Sequence, residues 1–324
     1  MTRSLAFRQR GVALLSVLLI VAIVSALLYH LLDRHSLVVA QTRQALAGNQ
    51  ALSYALGAEA YARQLLVEDW TNPESRAFDA LTEAWAQPLQ PFEIDGGSLE
   101  VWIEDLAGRF NLNSLSEGDA GRSLTRLRDL FTAAGVQPEL ADAWKDWVDA
   151  DGDVTGFGAE DGEYLMAEPP YRTPNQRAGD ASELMWIKSF DAETYAKLEP
   201  LVVALPEGKL RINVNTANAP ALTALSQRIP LARAEALVES PREYMSMQAA
   251  TAEIPELAEA GDSVSVTSSY FGIHARADVG GSRADLMSIV YRDPQTGRIT
   301  LLERDLGTRF VSRFVPAEGS ENAT

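Results

Sequence analysis

From Val12 to Leu32 the chain is overwhelmingly apolar, and no Asp, Glu, Lys, Arg, Pro or Gly interrupts it. In a helix these 21 residues reach about 31 Å, which matches the hydrocarbon thickness of a bilayer. Past Leu32 the pattern becomes amphipathic. No Pro occurs before Pro73, and Leu46, Leu52, Leu56, Ala60 and Leu65 recur at mostly helical intervals. The pattern predicts one long helix from Val12 to about Glu68, with residues 12–32 spanning a membrane and the outer half forming a spine. Gly48 and Gly57 are the places where it can bend, each costing about 1 kcal/mol relative to Ala.

A polar, Pro-bearing loop follows around Thr71 to Arg76, then a short helical piece ending near Trp85 ahead of Pro88 and Pro91. From Phe92 the period drops to two: PFEIDGGSLEVWIED reads as a hairpin turning at Asp95-Gly96-Gly97. Alternation returns only near the C-terminus, in SVSVTSSYFGIHARADVG, ADLMSIVYRD and RITLLERDLG, the last two joined by a turn at Pro294-Gln295-Thr296-Gly297. Between these stretches helical patterns dominate: RSLTRLRDLFTAAG, PELADAWKDWV, DAETYAKLEPLVVAL, APALTALSQ and LARAEALVE. The expected class is α+β. A long first helix (12–70) packs on an antiparallel sheet built from 71–115 and 261–315, an all-helical domain (116–260) is inserted between the strands, and 316–324 form a flexible tail.

Composition narrows the function classes. Residues are 46% apolar and 23% charged, ordinary for a folded body. Lys and Arg total 28 against 45 Asp and Glu, and the net charge of −17 argues against a nucleic-acid partner. There is no Cys, so disulfides and thiolate metal sites are excluded, and the three His (His30, His35, His274) are too dispersed to build a metal centre.

The chemistry-bearing stretch is acidic. Between Asp146 and Glu168 stand eight carboxylates (Asp146, Asp149, Asp151, Asp153, Glu160, Asp161, Glu163 and Glu168) and no Lys or Arg. Charges at that density repel one another unless a cation is bound. Asp149, Asp151, Asp153 and Glu160 occupy positions 1, 3, 5 and 12 of a twelve-residue Ca²⁺ loop. Val154 stands where an EF-hand needs Gly and Gly156 where it needs an apolar residue, so a regular EF-hand is not expected. Oxygen ligands without Cys or His favour Ca²⁺ over Zn²⁺. The competing reading is a solvated acidic loop.

INVNTANAPALTAL could open a DNA-gripping helix-hairpin-helix, but SQRIPLARAEALVE carries Pro230 and no Gly between its helices, so the phosphate cradle is missing. A packing unit is expected, with Asn215 or Asn218 capping the helix and Pro220 in its first turn. No G-x-S-x-G, H-E-x-x-H or P-loop is present, and carboxylates clustered in one Gly-spaced loop suit cation binding better than glycoside hydrolysis. Trp102, Phe110, Tyr164 and Tyr171 read as packing residues. An enzyme is not expected.

Arg3, Arg8 and Arg10 precede the apolar run, which keeps the N-terminus cytoplasmic and exports the bulk of the chain. The order differs from a secretory signal, because the apolar run continues as helix without an A-x-A-like cleavage site. The join Arg10-Gly11/Val12-Ala13 resembles the processing site of type IV pilins and type II secretion pseudopilins, where a membrane peptidase cuts after Gly; residues 1–11 are then a leader. Most such subunits carry Glu at the fifth residue after the cut, where this chain has Ser16. An ionised group in a membrane is costly unless partnered, so a subunit with no neighbour to pair it does better without one.

Five stretches carry a wider resemblance: RGVALLSVLLIVAIV, WAQPLQPFEIDGGSLEVWIEDLAGRFNLNSL, DWVDADGDVTGFGAEDGEYL, PPYRTPN and LRINVNTANAPAL. Together they resemble the minor pseudopilin K family of type II secretion systems, with which Ser16 agrees. The resemblance implies a pseudopilin fold anchored once in the inner membrane, its bulk periplasmic, its Val12 N-methylated. It implies two structural Ca²⁺ ions, with Asp149, Asp151, Asp153, Glu160 and Asp161 as ligands and Asn175 contributing. It further implies a non-catalytic role, starting and capping a periplasmic pseudopilus that drives folded proteins out of the cell. The implied partners are the minor pseudopilins I and J, the prepilin peptidase and other inner-membrane components of the system. The rival class is a minor type IV pilin or tip receptor for adhesion, DNA uptake or substrate recognition; the negative charge opposes DNA uptake.

Overall fold

The computed structural model describes residues 10–87, 89–117, 119–307, 310, 311 and 313, with side chains from residue 13 onward. Residues 1–9 of the expected leader and the whole expected tail lie outside the described residues, and Gly11 and Val12 are placed by backbone alone. Helix α1 (Arg10–Thr71) runs unbroken through Gly48 and Gly57. Its most apolar window has a mean hydropathy of 2.5 and is wholly exposed, so it is long and apolar enough to cross a membrane.

The outer half of α1 meets the sheet through Ala51, Ala55, Ala58, Ala62 and Leu66, each at most 2% exposed. This corrects the leucine pattern. Leu52, Leu56 and Leu65 flank the contact half-buried, while Leu46 and Ala60 are exposed. A helix lying close to a sheet needs short side chains along the line of contact, and the leucines fill the margins. One acid shares that line: Glu59 is buried, held by Arg304 Nε at 2.7 Å and the Ser288 hydroxyl at 3.0 Å. Residues after α1 form turns rather than the expected helical piece near Trp85.

The strands among the described residues are β1 (Phe92–Ile94), β2 (Gly97–Asp105), β3 (Phe110–Asn111), β4 (Val202–Val203), β5 (Ile212–Asn213), β6 (Val264–Ser265), β7 (Tyr270–Val279), β8 (Ser282–Arg292) and β9 (Ile299–Asp305). The main sheet is antiparallel with order β1-β2-β7-β8-β9. The first hairpin closes with Ile94 opposite Gly97. Gly96 takes φ 79°, and a Cβ on Gly97 would fall on the Asp278 carbonyl of β7, so both glycines are required. The β8–β9 turn uses Gly297 at φ 69°, with the Asp293 carboxylate accepting from the backbone of Gln295 and Thr296. Strands β2 and β7 pair along their whole length, ending with Asp105 opposite Phe271. The chain therefore leaves the sheet at Asp105 and returns beside the same point.

Between these strands lie α2 (Ala120–Ala133), α3 (Leu140–Val148), α4 (Asp161–Tyr164), α5 (Ala192–Leu198), α6 (Ala219–Leu225), α7 (Leu231–Val238) and α8 (Met247–Glu253). Helix α5 stops before Pro200, and Val202–Val203 go into β4 instead of prolonging it. Strand β4 pairs parallel with β3, and β5 with β6. Asn218 caps α6 by accepting from Ala221 N at 2.9 Å, with Pro220 in the first turn.

Two cores result. One lies between α1 and the sheet; the other is helical, around Phe110, Leu127, Phe131, Trp144, Tyr164 and Leu222. A buried polar knot sits between them. Asn213 Nδ2 donates to the Asp79 carbonyl, Asp105 Oδ2 and Ser268 Oγ at 2.9–3.0 Å, and Asp105 Oδ2 also accepts from Thr216 and Ser268 hydroxyls. Every donor there has an acceptor, which offsets the desolvation of these groups.

Candidate metal centre

The acidic loop starts where α3 ends. Helix α3 places Asp142, Asp146 and Asp149 on successive turns of one face, and the chain folds back over them. Thr155 N donates to Asp146 Oδ1 at 3.0 Å, and Phe157 N to Asp142 Oδ2 at 3.1 Å. The glycines at 156 and 158 allow this. Gly156 takes φ 53°, and a Cβ on either would collide with the Asp142 or Asp146 carboxylate. The departures from EF-hand spacing are thus explained: the loop wraps its own helix instead of closing a regular calcium turn.

Past the fold-back, the chain brings Glu160, Asp161 and the Thr173–Asn175 segment up to the α3 end. Glu160 Oε2 receives a hydrogen bond from the Thr173 hydroxyl at 2.9 Å, and Asp161 Oδ1 accepts from Thr173 N at 3.1 Å. Asn175, at φ 44°, donates from Nδ2 to the Asp151 carbonyl at 2.8 Å. Asp149, Asp151 and Asp161 lie close enough to add to the effect of burial in raising the Glu160 carboxyl above its ordinary range. Burial likewise pushes Asp146 up to about 6, with Glu160 and Asp149 contributing.

Three oxygens here are buried without a hydrogen-bond donor among the described residues: Asp149 Oδ1, Glu160 Oε1 and Asn175 Oδ1. Each can only accept, and each is drawn from the expected ligand set. Of that set, the fold gathers Asp149, Asp151, Glu160, Asp161 and Asn175. Asp153 stands beside Asp151, both exposed, and its backbone N donates to Asp151 Oδ1 at 3.0 Å. The donor chemistry fits Ca²⁺, which takes six to eight oxygens from carboxylates, amides and backbone carbonyls. No three carboxylates of the loop come within 4.8 Å of one another.

Counter-charges come from outside the stretch that lacks them. Lys145 pairs with Asp149, Arg128 with Asp142, Arg172 with Asp161 and Lys188 with Glu163. Asp142 and Thr173 escaped the sequence reading. The first sits four residues before Asp146, a helical spacing that marks it; the second carries no pattern. Phe110 and Tyr164 are buried and Tyr171 packs on Tyr164, as their packing role required.

The tightest carboxylate group among the described residues lies elsewhere: Asp69, Asp79 and Glu83. Arg292 pairs with two of the three, bonding Asp69 at 2.8 Å and Asp79. It joins the end of α1 to β8 and to the knot around Asn213.

Residues 108–207 match the sequence model of the type II secretion system protein K family. A type II secretion system protein K of Pseudomonas aeruginosa is 38% identical over 97% of both chains. One from Aeromonas hydrophila is 34% identical over 92% of this chain and 97% of its own. Among solved structures, a chain in the crystal structure of the GspK-GspI-GspJ complex from the enterotoxigenic Escherichia coli type 2 secretion system superposes with a TM-score of 0.72 at 28% identity. That match covers 83% of this chain and all of the other. The fold is therefore that of a known architecture, and the chain belongs to the type II secretion system protein K family.

Proposed function

We propose that the chain is the minor pseudopilin that begins and caps the periplasmic pseudopilus during export of folded proteins. Its role is structural, not catalytic. The observation that carries the reading is the way the helical region hangs from neighbouring strands at one end of the sheet, leaving α1 free along most of its length. In a filament that stacks subunits through their first helices, this head widens the subunit and obstructs a neighbour stacked above it. By analogy with the solved complex, the partners are the minor pseudopilins I and J. The prepilin peptidase acts at Gly11/Val12, and α1 anchors the chain in the inner membrane with its N-terminus cytoplasmic.

The acidic loop holds Ca²⁺ in this reading. Asp149, Glu160 and Asn175 supply the oxygens that now lack donors, with Asp151 and Asp161 beside them. The ion's part is to fix a long irregular segment that has few apolar residues of its own. Immunogold labelling of isolated filaments, with cross-linking to the other minor pseudopilins, tests the assembly role. Label at one end and cross-links to I and J are expected; label along the shaft overturns the reading.

A further inference from the structure

A groove on the helical region has no part in that assembly reading. The last turns of α2 form one side and the α6–α7 connection the other of an open depression of about 290 Å³, bordered by Asp129, Ala133, Thr223, Gln227, Ile229 and Leu231. That volume lies just under the range of small-molecule sites and suits a single long side chain.

Ala133, Ile229 and Leu231 make the groove partly apolar. Asp129 gives it a charge. This carboxylate is half-buried, and its partner is the Gln227 amide, at 3.3 and 3.5 Å. The cations nearest in sequence are engaged elsewhere: Arg126 with Ser263 and the Ala260 carbonyl, Arg128 with Asp142, Arg228 with Glu259 and Arg233 with Glu256. Among the described residues no Lys or Arg forms an ion pair with it. Burial pushes the Asp129 carboxyl above its ordinary range, and the Gln227 hydrogen bond works against that rise. From the α6 side, the Thr223 hydroxyl is buried and has no hydrogen-bond partner among the described residues.

We infer that this groove receives a Lys or Arg side chain from a segment of a partner protein. Its aliphatic stem would lie against Ala133, Ile229 and Leu231 and its cation would bond Asp129. The net charge of −17 draws cationic surfaces toward this chain and favours such a partner over an acidic one.

Methyl NMR on the full chain in detergent micelles tests this with two peptides, acetyl-Ala-Ala-Arg-Ala-Ala-amide and the same sequence with neutral citrulline in place of Arg. The Arg peptide is expected to shift the Ala133, Ile229 and Leu231 methyls with roughly tenfold higher affinity, the size of one charge-assisted contact. Asp129→Asn should lower its affinity to that of the citrulline peptide while methyl signals away from the groove stay in place. The inference is overturned if the two peptides bind alike, if Asp129→Asn leaves the difference intact, if the shifts map elsewhere, or if millimolar peptide moves no groove methyl.

Discussion

Glu104, on the sheet face turned away from α1, illustrates how neighbours set a side chain's ionisation. Burial alone would raise its carboxyl, but the His274 imidazole 3.5 Å away and the Arg109 and Arg313 guanidiniums outweigh that and hold it at about 2. A carboxyl lowered in the fold stabilises above its unfolded value and loses that stability as pH falls through the folded one. Between about pH 4.5 and pH 2 this group should cost the protein on the order of 3 kcal/mol, and Glu104→Gln should flatten that part of a denaturant-unfolding series against pH. An equally steep acid limb in Glu104→Gln would refute the assignment. Asn213→Ala should destabilise by about 1–3 kcal/mol, because it strips a donor from buried Asp105 and Ser268; a melting temperature unchanged by the substitution would refute it. Little of this was legible. LRINVNTANAPAL stood out as a motif, but its Asn213 acts through Asp79, Asp105 and Ser268, far away in sequence. Trp102 was recognised as a packing residue, while the stack of His274 on its ring at 3.8 Å and the cover of Arg313 on it arise only when the C-terminal segment comes home.

At the scale of elements, the acidic loop is a wrapped helix end with three buried acceptors that lack donors among the described residues. Thermal unfolding of the full chain in detergent should show stabilisation by Ca²⁺ over chelator, about 2.7 kcal/mol at a hundredfold excess over Kd. Mg²⁺ should do less, since it demands octahedral geometry and sheds water reluctantly. Asp149→Asn with Glu160→Gln should abolish the Ca²⁺ response and raise stability in chelator by relieving like-charge repulsion. If calorimetry on the unaltered chain detects no Ca²⁺ binding, the ligand set is wrong. Gly158→Ala should loosen the loop whether or not the ion is present, because its Cβ meets the Asp146 carboxylate that anchors the fold-back. Elements with local signals were readable: both tight turns carry their own glycines, and α2, α3, α6 and α7 show helical periodicity. The parallel pairs β3–β4 and β5–β6 were not, since a dipeptide has no period and its partner is set by the packing of everything between. The alanine contact line of α1 was missed because periodicity favours large apolar residues, whereas close approach to a sheet selects small ones.

For the whole molecule, architecture followed from the sequence because its two periods are segregated: strands flank a helical middle, and one apolar helix precedes both. Whether residues 1–11 are a leader is a question of peptide chemistry. N-terminal sequencing of membrane-extracted protein is expected to begin at Val12, and Gly11→Leu should block the cut; a mature chain beginning at Met1 would contradict the processing site. The neighbouring positions of Asp105 and Phe271 have a mechanical consequence. Force transmitted along α1 reaches the sheet through the alanine contact and the Glu59–Arg304 pair, and it passes from β2 to β7 across their hydrogen bonds. The helical region between these strands is a side branch, off the loaded line. Pulling between the N-terminus and β9 should shear α1 from the sheet before it strains α2 to α8, so the head can stay folded while the stem carries the tension.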